Sequence, residues 1–229
     1  MDVARSAPVG ATASAAAGPH AARPPIGREL ALLVGVALAL TLLLRLFVVQ
    51  AFYIPSGSME PTLAIGDRVL VNKVTDDISR GDVVVFDGRG SFTPAETVGE
   101  QGVLLRASRA IGGFLGVAPS DRDYVKRVIG VAGDRVVCCD AGRLSVNGVP
   151  LAEPYVMPGD TASEQPFDVL VPAGRLWLMG DHRGDSADSR AHLGDPGGGM
   201  VRVDRVVGEV AVRFWPLPEA GQLPATASR

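Results

Sequence analysis

Two serine hydroxyls stand two residues apart on a stiff loop. In Ile-Pro-Ser-Gly-Ser-Met-Glu-Pro-Thr-Leu (residues 54–63), Pro55 and Pro61 restrict the backbone around Ser56 and Ser58, and Gly57 leaves room for close approach. A serine is a weak nucleophile until a neighbouring base takes its proton. The chemistry open to this loop therefore depends on which base the rest of the chain brings to it. Taken alone, a Ser-Gly-Ser stretch is more often a solvated linker than a catalytic loop.

The candidate bases are few. His20 lies in an Ala/Pro-rich N-terminal stretch, and His182 and His192 lie in Gly-rich loops, with no spacing that matches a known triad. A Ser-His-Asp arrangement stays open but is not favoured. The chain holds two lysines. Lys73 sits in polar Val-Asn-Lys-Val-Thr-Asp-Asp, whereas Lys126 sits inside the apolar run Tyr-Val-Lys-Arg-Val-Ile-Gly-Val, where a strand would take it out of water. At the ordinary pKa of about 10.4, on the order of one lysine in a thousand is neutral at pH 7. Burial must lower that value by several pH units, each costing roughly 1.4 kcal/mol, before Lys126 could act as a base.

The elements that would position these groups read as short strands. Four times a Gly-acid pair precedes a β-branched run: Gly66-Asp67, Gly81-Asp82, Gly133-Asp134 and Gly208-Glu209. Each predicts a turn followed by a strand. Further strands are predicted over 124–131, over 143–146 with the Asn147-Gly148 hairpin signal, and over 175–179. The expected fold class is mainly β. Residues 88–122 break this rhythm and read as an insertion, with a short helix expected around 103–111.

An anchor is expected before the β domain. Residues 30–44 are fifteen positions without a charge, and Leu46, Phe47, Val48 and Val49 after Arg45 bring the apolar stretch to about 20, which is bilayer length. Arg45 costs at least ~2.5 kcal/mol at the bilayer centre but can snorkel from near one end. No small-residue cleavage site follows, and the chain continues Val-Val-Gln-Ala-Phe-Tyr-Ile-Pro. Arg5, Arg23 and Arg28 precede the span while no Lys or Arg lies between Leu46 and Asp67, so the N-terminus is expected to be cytoplasmic. The expected organisation is a disordered tail over 1–27, a transmembrane helix over 28–50, an extracytoplasmic β domain over 51–218 and a flexible tail over 219–229. Ser58 then lies nine residues beyond Val49, at the outer membrane surface.

Composition removes other classes. The net charge is −3 and the arginines form no basic run, so no nucleic-acid surface is indicated. Cys138 and Cys139 are neighbours, which leaves no long-range disulfide framework and no metal-ligand spacing. A vicinal disulfide stays open outside the membrane, but adjacent Cα atoms about 3.8 Å apart are closer than disulfides usually take, so two ordinary half-buried strand residues are the favoured expectation.

Four segments in order resemble the signature boxes of bacterial type I signal peptidases: Pro-Ser-Gly-Ser-Met-Glu-Pro-Thr-Leu, Gly-Asp-Val-Val-Val-Phe, Tyr-Val-Lys-Arg-Val-Ile-Gly-Val-Ala-Gly-Asp-Arg-Val and Met-Gly-Asp-His-Arg-Gly-Asp-Ser-Ala-Asp-Ser-Arg. The resemblance runs from about residue 30 to 217 and implies the β fold of that family. It also implies a Ser-Lys dyad with Ser58 as nucleophile and Lys126 as general base. Ser56 would join the Ser58 backbone N–H in the oxyanion hole, and Ser186 would hydrogen-bond and orient the lysine. Asp188 would pair with Arg190, with Asp181 and Arg183 supporting the same turn. His182 stands where many family members carry Asn; it can still donate a hydrogen bond, and its protonation would make the loop pH-sensitive.

By the same resemblance the substrates are secretory preproteins with small residues at −1 and −3, bound as an extended strand at the membrane. No metal or organic cofactor is needed, and the expected state is a monomer in the cell membrane. Two rivals remain. A self-cleaving repressor-type Ser-Lys protease would carry a DNA-binding domain, which the anchor and the near-neutral charge oppose. A membrane-tethered, non-catalytic β domain would leave Lys126 ordinarily solvated.

Overall fold

In the computed structural model the described residues are 26–74, 77–92, 122–140 and 142–223. The expected tail before residue 26, the interior of the insertion with its helix around 103–111, and the last residues after 223 lie outside them. The chain divides into two compact units, Met1–Thr41 and Leu42–Arg229.

The first unit is represented by helix α1, Ile26–Phe47. Its described side chains are all exposed, with Leu30, Leu32 and Leu33 each at least 60% accessible. Among the described residues, no helix is long and apolar enough to cross a membrane. The helix ends at Phe47, and Val49, counted toward the span in the sequence, belongs instead to a strand.

Beyond the end of α1, the described residues of the second unit are mainly antiparallel β structure. Its strands are β1 Val49–Tyr53, β2 Arg68–Asn72, β3 Val83–Asp87, β4 Asp123–Gly130, β5 Arg135–Asp140, β6 Arg143–Val146, β7 Val149–Pro150, β8 Phe167–Leu170, β9 Arg175–Met179, β10 Val201–Arg202 and β11 Val206–Trp215. Seven of them form one sheet in the order β1-β2-β11-β3-β4-β9-β10, and four form another in the order β7-β6-β5-β8. The central position of β4, between β3 and β9, makes it nearly all buried from Lys126 onward. One apolar cluster gathers around Trp177 between the sheets' residues, and another joins Ile54, Met59 and Leu63 to Val69 and Val71.

Three of the Gly-acid pairs work by one device. Gly66, Gly81 and Gly133 take φ values of 97°, 94° and 90°, which favour glycine. The next residue's carboxylate accepts from an N–H three residues back: Ala64 to Asp67, Ser79 to Asp82 and Val131 to Asp134, at 2.8–2.9 Å. The chain then enters β2, β3 or β5. Asn147 and Gly148, at φ 55° and 79°, form the tight β6–β7 hairpin.

The fourth pair is different. Gly208 and Glu209 lie within β11, where the register with β3 shifts between Val206 and Gly208. Gly208 is needed there for close approach, because a Cβ would sit 2.1 Å from the Asn72 carbonyl oxygen. Strands β1, β8 and β10 were not foreseen, since they carry no Gly-acid turn and pair only through tertiary contacts. Cys138 and Cys139 lie in β5, as expected, but are joined in a disulfide, the less favoured alternative. The favoured expectation assumed a trans spacing, whereas the peptide between them is cis and the Cα atoms are 3.0 Å apart.

Gly208→Ala should destabilise the β domain by about 1–3 kcal/mol through this backbone collision. Urea unfolding followed by circular dichroism checks it, and a wild-type midpoint would mean that β2 and β11 separate without cost.

Candidate active site

Strand β4 supplies the amine. Val84 of β3 lies opposite Lys126, and Val83 opposite Arg127. Alternation along a strand sends these two neighbouring cations to opposite faces, and both are buried, at 3% and 1% exposure. Two charges side by side in an apolar strand each require a partner, because burying an unpaired cation is costly.

The serine loop follows β1 and is pinned at both ends. Ile54 N–H donates to the Asp67 carbonyl at 2.9 Å, and Gly66 N–H donates to the Ile54 carbonyl at 3.0 Å. Within it, Glu60 N–H donates to the Gly57 carbonyl and Leu63 N–H to the Met59 carbonyl, both at 2.9 Å. Met59 and Leu63 are buried in the core while Ser58 between the anchors stays half-exposed. Lys126 Nζ donates to Ser58 Oγ at 2.5 Å. Ser56 Oγ, exposed, lies 3.5 Å from Ser58 Oγ.

The environment of Lys126 favours its neutral form. Burial lowers the amine from 10.5 to about 8, against the opposing pull of the Asp188, Asp181 and Asp185 carboxylates and with some help from Arg190. The solvated lysine that a purely binding domain would have is not what the fold provides.

The 180–190 loop closes over this pair. His182 N–H donates to the Ser58 carbonyl at 3.2 Å. Gly180 permits the approach, since a Cβ there would fall 2.4 Å from that carbonyl and 2.2 Å from Ser186 Oγ. Its N–H donates to Asp188 Oδ2 at 2.9 Å, and Arg190 grips Asp188 with two bonds of 2.8 Å. Burial pushes the Asp188 carboxyl up, but the Arg190 guanidinium outweighs this and holds it below the usual carboxylate range.

On the other face of β4, Arg127 holds Asp181 through Nε–Oδ1 at 2.8 Å and Nη2–Oδ2 at 2.6 Å. Thr62 Oγ1 donates to the same carboxylate at 2.5 Å. The serine loop, the lysine strand and the 180–190 loop thus meet at one buried carboxylate. Arg183 donates to the Gly180 carbonyl at 2.9 Å and pairs with Glu153.

The structure brings Ser56, Ser58, Lys126, Ser186, Asp181, Arg183, Asp188 and Arg190 into one region, with two differences from expectation. Ser186 makes no hydrogen bond to the lysine. Its buried Oγ is close enough to Asp188 to bias that carboxyl but meets no partner with hydrogen-bond geometry. His182 also departs from its expected part: its main-chain N–H does the work, and Nδ1 is buried without a partner. Sequence reasoning overlooked Arg127, Thr62 and Glu153. For Arg127 the signal was present, since a second charge beside Lys126 in an apolar strand must be buried on the opposite face.

A buried amine against a half-exposed serine hydroxyl, with a second hydroxyl beside it, has the parts of a lysine-activated serine nucleophile. Residues 27–215 match the family described as signal peptidase, peptidase S26, and the chain belongs to that family. It is a peptidase. It is 39% identical over 219 residues to a probable signal peptidase I of Mycobacterium leprae, covering 82% of this chain and 76% of that one. Against signal peptidase I of Mycobacterium tuberculosis the identity is 37% over 222 residues, covering 86% and 76%. Against signal peptidase I of Bacillus caldolyticus it is 33% over 199 residues, covering 80% and 89%.

Because the folded-state value of about 8 lies below the unfolded 10.5, the unfolded chain binds more protons between them and stability rises with pH across that window. Below about pH 8 the buried lysine costs up to ~3 kcal/mol. Lys126→Met should therefore stabilise the domain at pH 7, with the gain shrinking to nothing near pH 10.5. Denaturation midpoints at both pH values check this, and a variant less stable at pH 7 would contradict it.

Proposed function

We propose that the chain is a membrane-anchored serine endopeptidase that removes N-terminal signal peptides from secreted preproteins. The observation that carries this is the 2.5 Å contact between Ser58 Oγ and the buried Lys126 amine. With an amine at about 8, about one lysine in ten is already neutral at pH 7.

The neutral Nζ takes the Ser58 proton as Oγ attacks the scissile carbonyl carbon. The Ser58 N–H and the Ser56 hydroxyl receive the oxyanion, a role supported by the exposed position of Ser56 beside Ser58 Oγ. The ammonium then gives its proton to the leaving nitrogen, which departs as the new N-terminus of the mature protein. Water, deprotonated by the same lysine, splits the acyl-serine ester and releases the signal peptide as a carboxylate. Asp181, Arg183, Asp188 and Arg190 support the loop that holds the Ser58 carbonyl. The names of the relatives support the substrate class, and small residues at −1 and −3 follow from the family resemblance.

Helix α1 is the anchor. Its 22 residues reach about 33 Å, comparable with the hydrocarbon core. Lipid is the cover that its exposed leucines lack, and the arginines before it keep the N-terminus cytoplasmic.

Purified chain in detergent should cut a preprotein at an Ala-x-Ala site, Ser58→Ala and Lys126→Arg should not, and Ser56→Ala should lose ~10²- to 10³-fold in kcat. The wild-type kcat/KM should rise about tenfold per pH unit and level near pH 8. Cutting by Ser58→Ala at the wild-type rate would sink the assignment. Alkaline carbonate extraction tests the anchor: the full chain should stay with the membrane fraction, and release into the supernatant would refute it.

A further inference from the structure

Between β7 and β8 the chain runs without regular structure, yet residues 153–162 touch the 180–190 loop repeatedly. Met157 N–H donates to the Asp181 carbonyl at 3.0 Å, and Asp160 Oδ2 accepts from Gly184 N–H at 3.0 Å. The Ala162 carbonyl accepts from Arg183 at 3.4 Å and from Arg190 at 3.5 Å. Glu153 holds Arg183 from the far side. No other described segment outside that loop is bonded to it at so many points.

Tyr155 is the centre of these contacts. Its ring lies 4.0 Å from the Arg127 guanidinium carbon and 6.0 Å from that of Arg183. Its hydroxyl donates to Glu153 Oε1 at 3.2 Å, the same oxygen that Arg183 grips. Burial first, and the Glu153 carboxylate second, push the phenol up, so it stays a donor at any pH the enzyme meets. Tyr155 is also packed into the Trp177 cluster.

We infer that residues 153–162 form a strap that fixes the 180–190 loop against Ser58 and Lys126, and that Tyr155 is the positioning residue through which the strap acts. This rests on reading Ser58 and Lys126 as the reacting pair. The line of force is short. Tyr155 covers the face of Arg127, Arg127 clamps Asp181, and Asp181 is joined to Gly180, whose Cα lies against the Ser58 carbonyl. If the ring is removed, a buried guanidinium loses its cover, water enters beside it, and the loop loosens over Lys126. The groups facing that lysine are Ser58 from the serine loop and Asp181, Asp185, Asp188 and Arg190 from the 180–190 loop, with Val84 opposite it on β3. Exclusion of water outweighs the nearby carboxylates in setting its proton affinity, so loosening the loop raises that affinity.

The test uses the full chain in detergent and compares wild type with Tyr155→Leu, Tyr155→Phe and Glu153→Gln. Two quantities are measured on each: kcat and KM for an Ala-x-Ala preprotein, and the titration midpoint of Lys126 by NMR of ¹³C-lysine protein, where only Lys73 shares the spectrum. Tyr155→Leu should lower kcat about 10- to 100-fold at nearly unchanged KM and move the Lys126 midpoint up from about 8 toward its ordinary value. Tyr155→Phe, which keeps the ring, should retain most of the activity and the midpoint. Glu153→Gln should shift both quantities in the direction of Tyr155→Leu, by less. A folded Tyr155→Leu with a wild-type Lys126 midpoint overturns the proposal, whatever its activity. Should Tyr155→Leu not fold, unchanged kcat and midpoint in Glu153→Gln overturn it instead. Failure of the wild type to cut, or cutting by Ser58→Ala, refutes the dyad alone, and the Lys126 midpoint still decides on the strap.

Discussion

Everything around the site depends on keeping water away from one amine. Lys126 is a lysine in the middle of a sheet, and its solvation is the largest influence on whether it carries a proton. Three carboxylates, those of Asp188, Asp181 and Asp185, favour the ammonium, Asp188 and Asp181 most strongly. Asp188 is occupied by Arg190 and by Gly180 N–H, and Asp181 by Arg127 and Thr62. Their charge is spent on these partners, so desolvation prevails at the lysine.

The same arrangement explains why so many charged groups are buried in a small β domain. Arg127, Asp181, Arg183 and Asp188 are all at 4% exposure or less, a burden that needs nearly complete pairing to be tolerated. Asp188 pairs with Arg190 within one loop, whereas the other two pairs join segments distant in sequence. Arg127 and Asp181 join β4 to the end of β9, Thr62 adds the serine loop, and Glu153 with Tyr155 adds the connection between β7 and β8. Breaking one partner leaves an uncompensated charge in the interior, so these pairings are costly to lose one member at a time. Close backbone contact at Gly180 completes the fit, because no side chain can stand between that loop and the Ser58 carbonyl.

Strands β2, β3 and β5 and the β6–β7 hairpin were legible because their signals are local: a glycine with positive φ, a carboxylate accepting from three residues back, and an Asn-Gly turn. Strands β1, β8 and β10 lack such signals. β1 also continues the apolar run of the helix without a break, so nothing in its composition separates the two. Gly208 misled for the related reason that glycine serves both turns and close strand contacts, and only the neighbour Asn72 shows which.

By itself the sequence determined the mainly β class, the family, and which residues are there to do chemistry: two lysines, one of them in an apolar strand, and two serines on a proline-bounded loop. Residue types and spacing suffice for that, because burial of a strand and stiffness of a loop are local properties. Tertiary structure alone decided that Lys126 meets Ser58 across 68 positions, that Arg127 rather than Arg183 answers Asp181, and that Ser186 stays without a bond to the lysine. It alone gathered Arg127, Arg183 and Glu153 around Tyr155, an aromatic in an irregular segment with no pattern around it. Pairings between distant segments depend on how sheets register and loops close, and no periodicity along one chain encodes that.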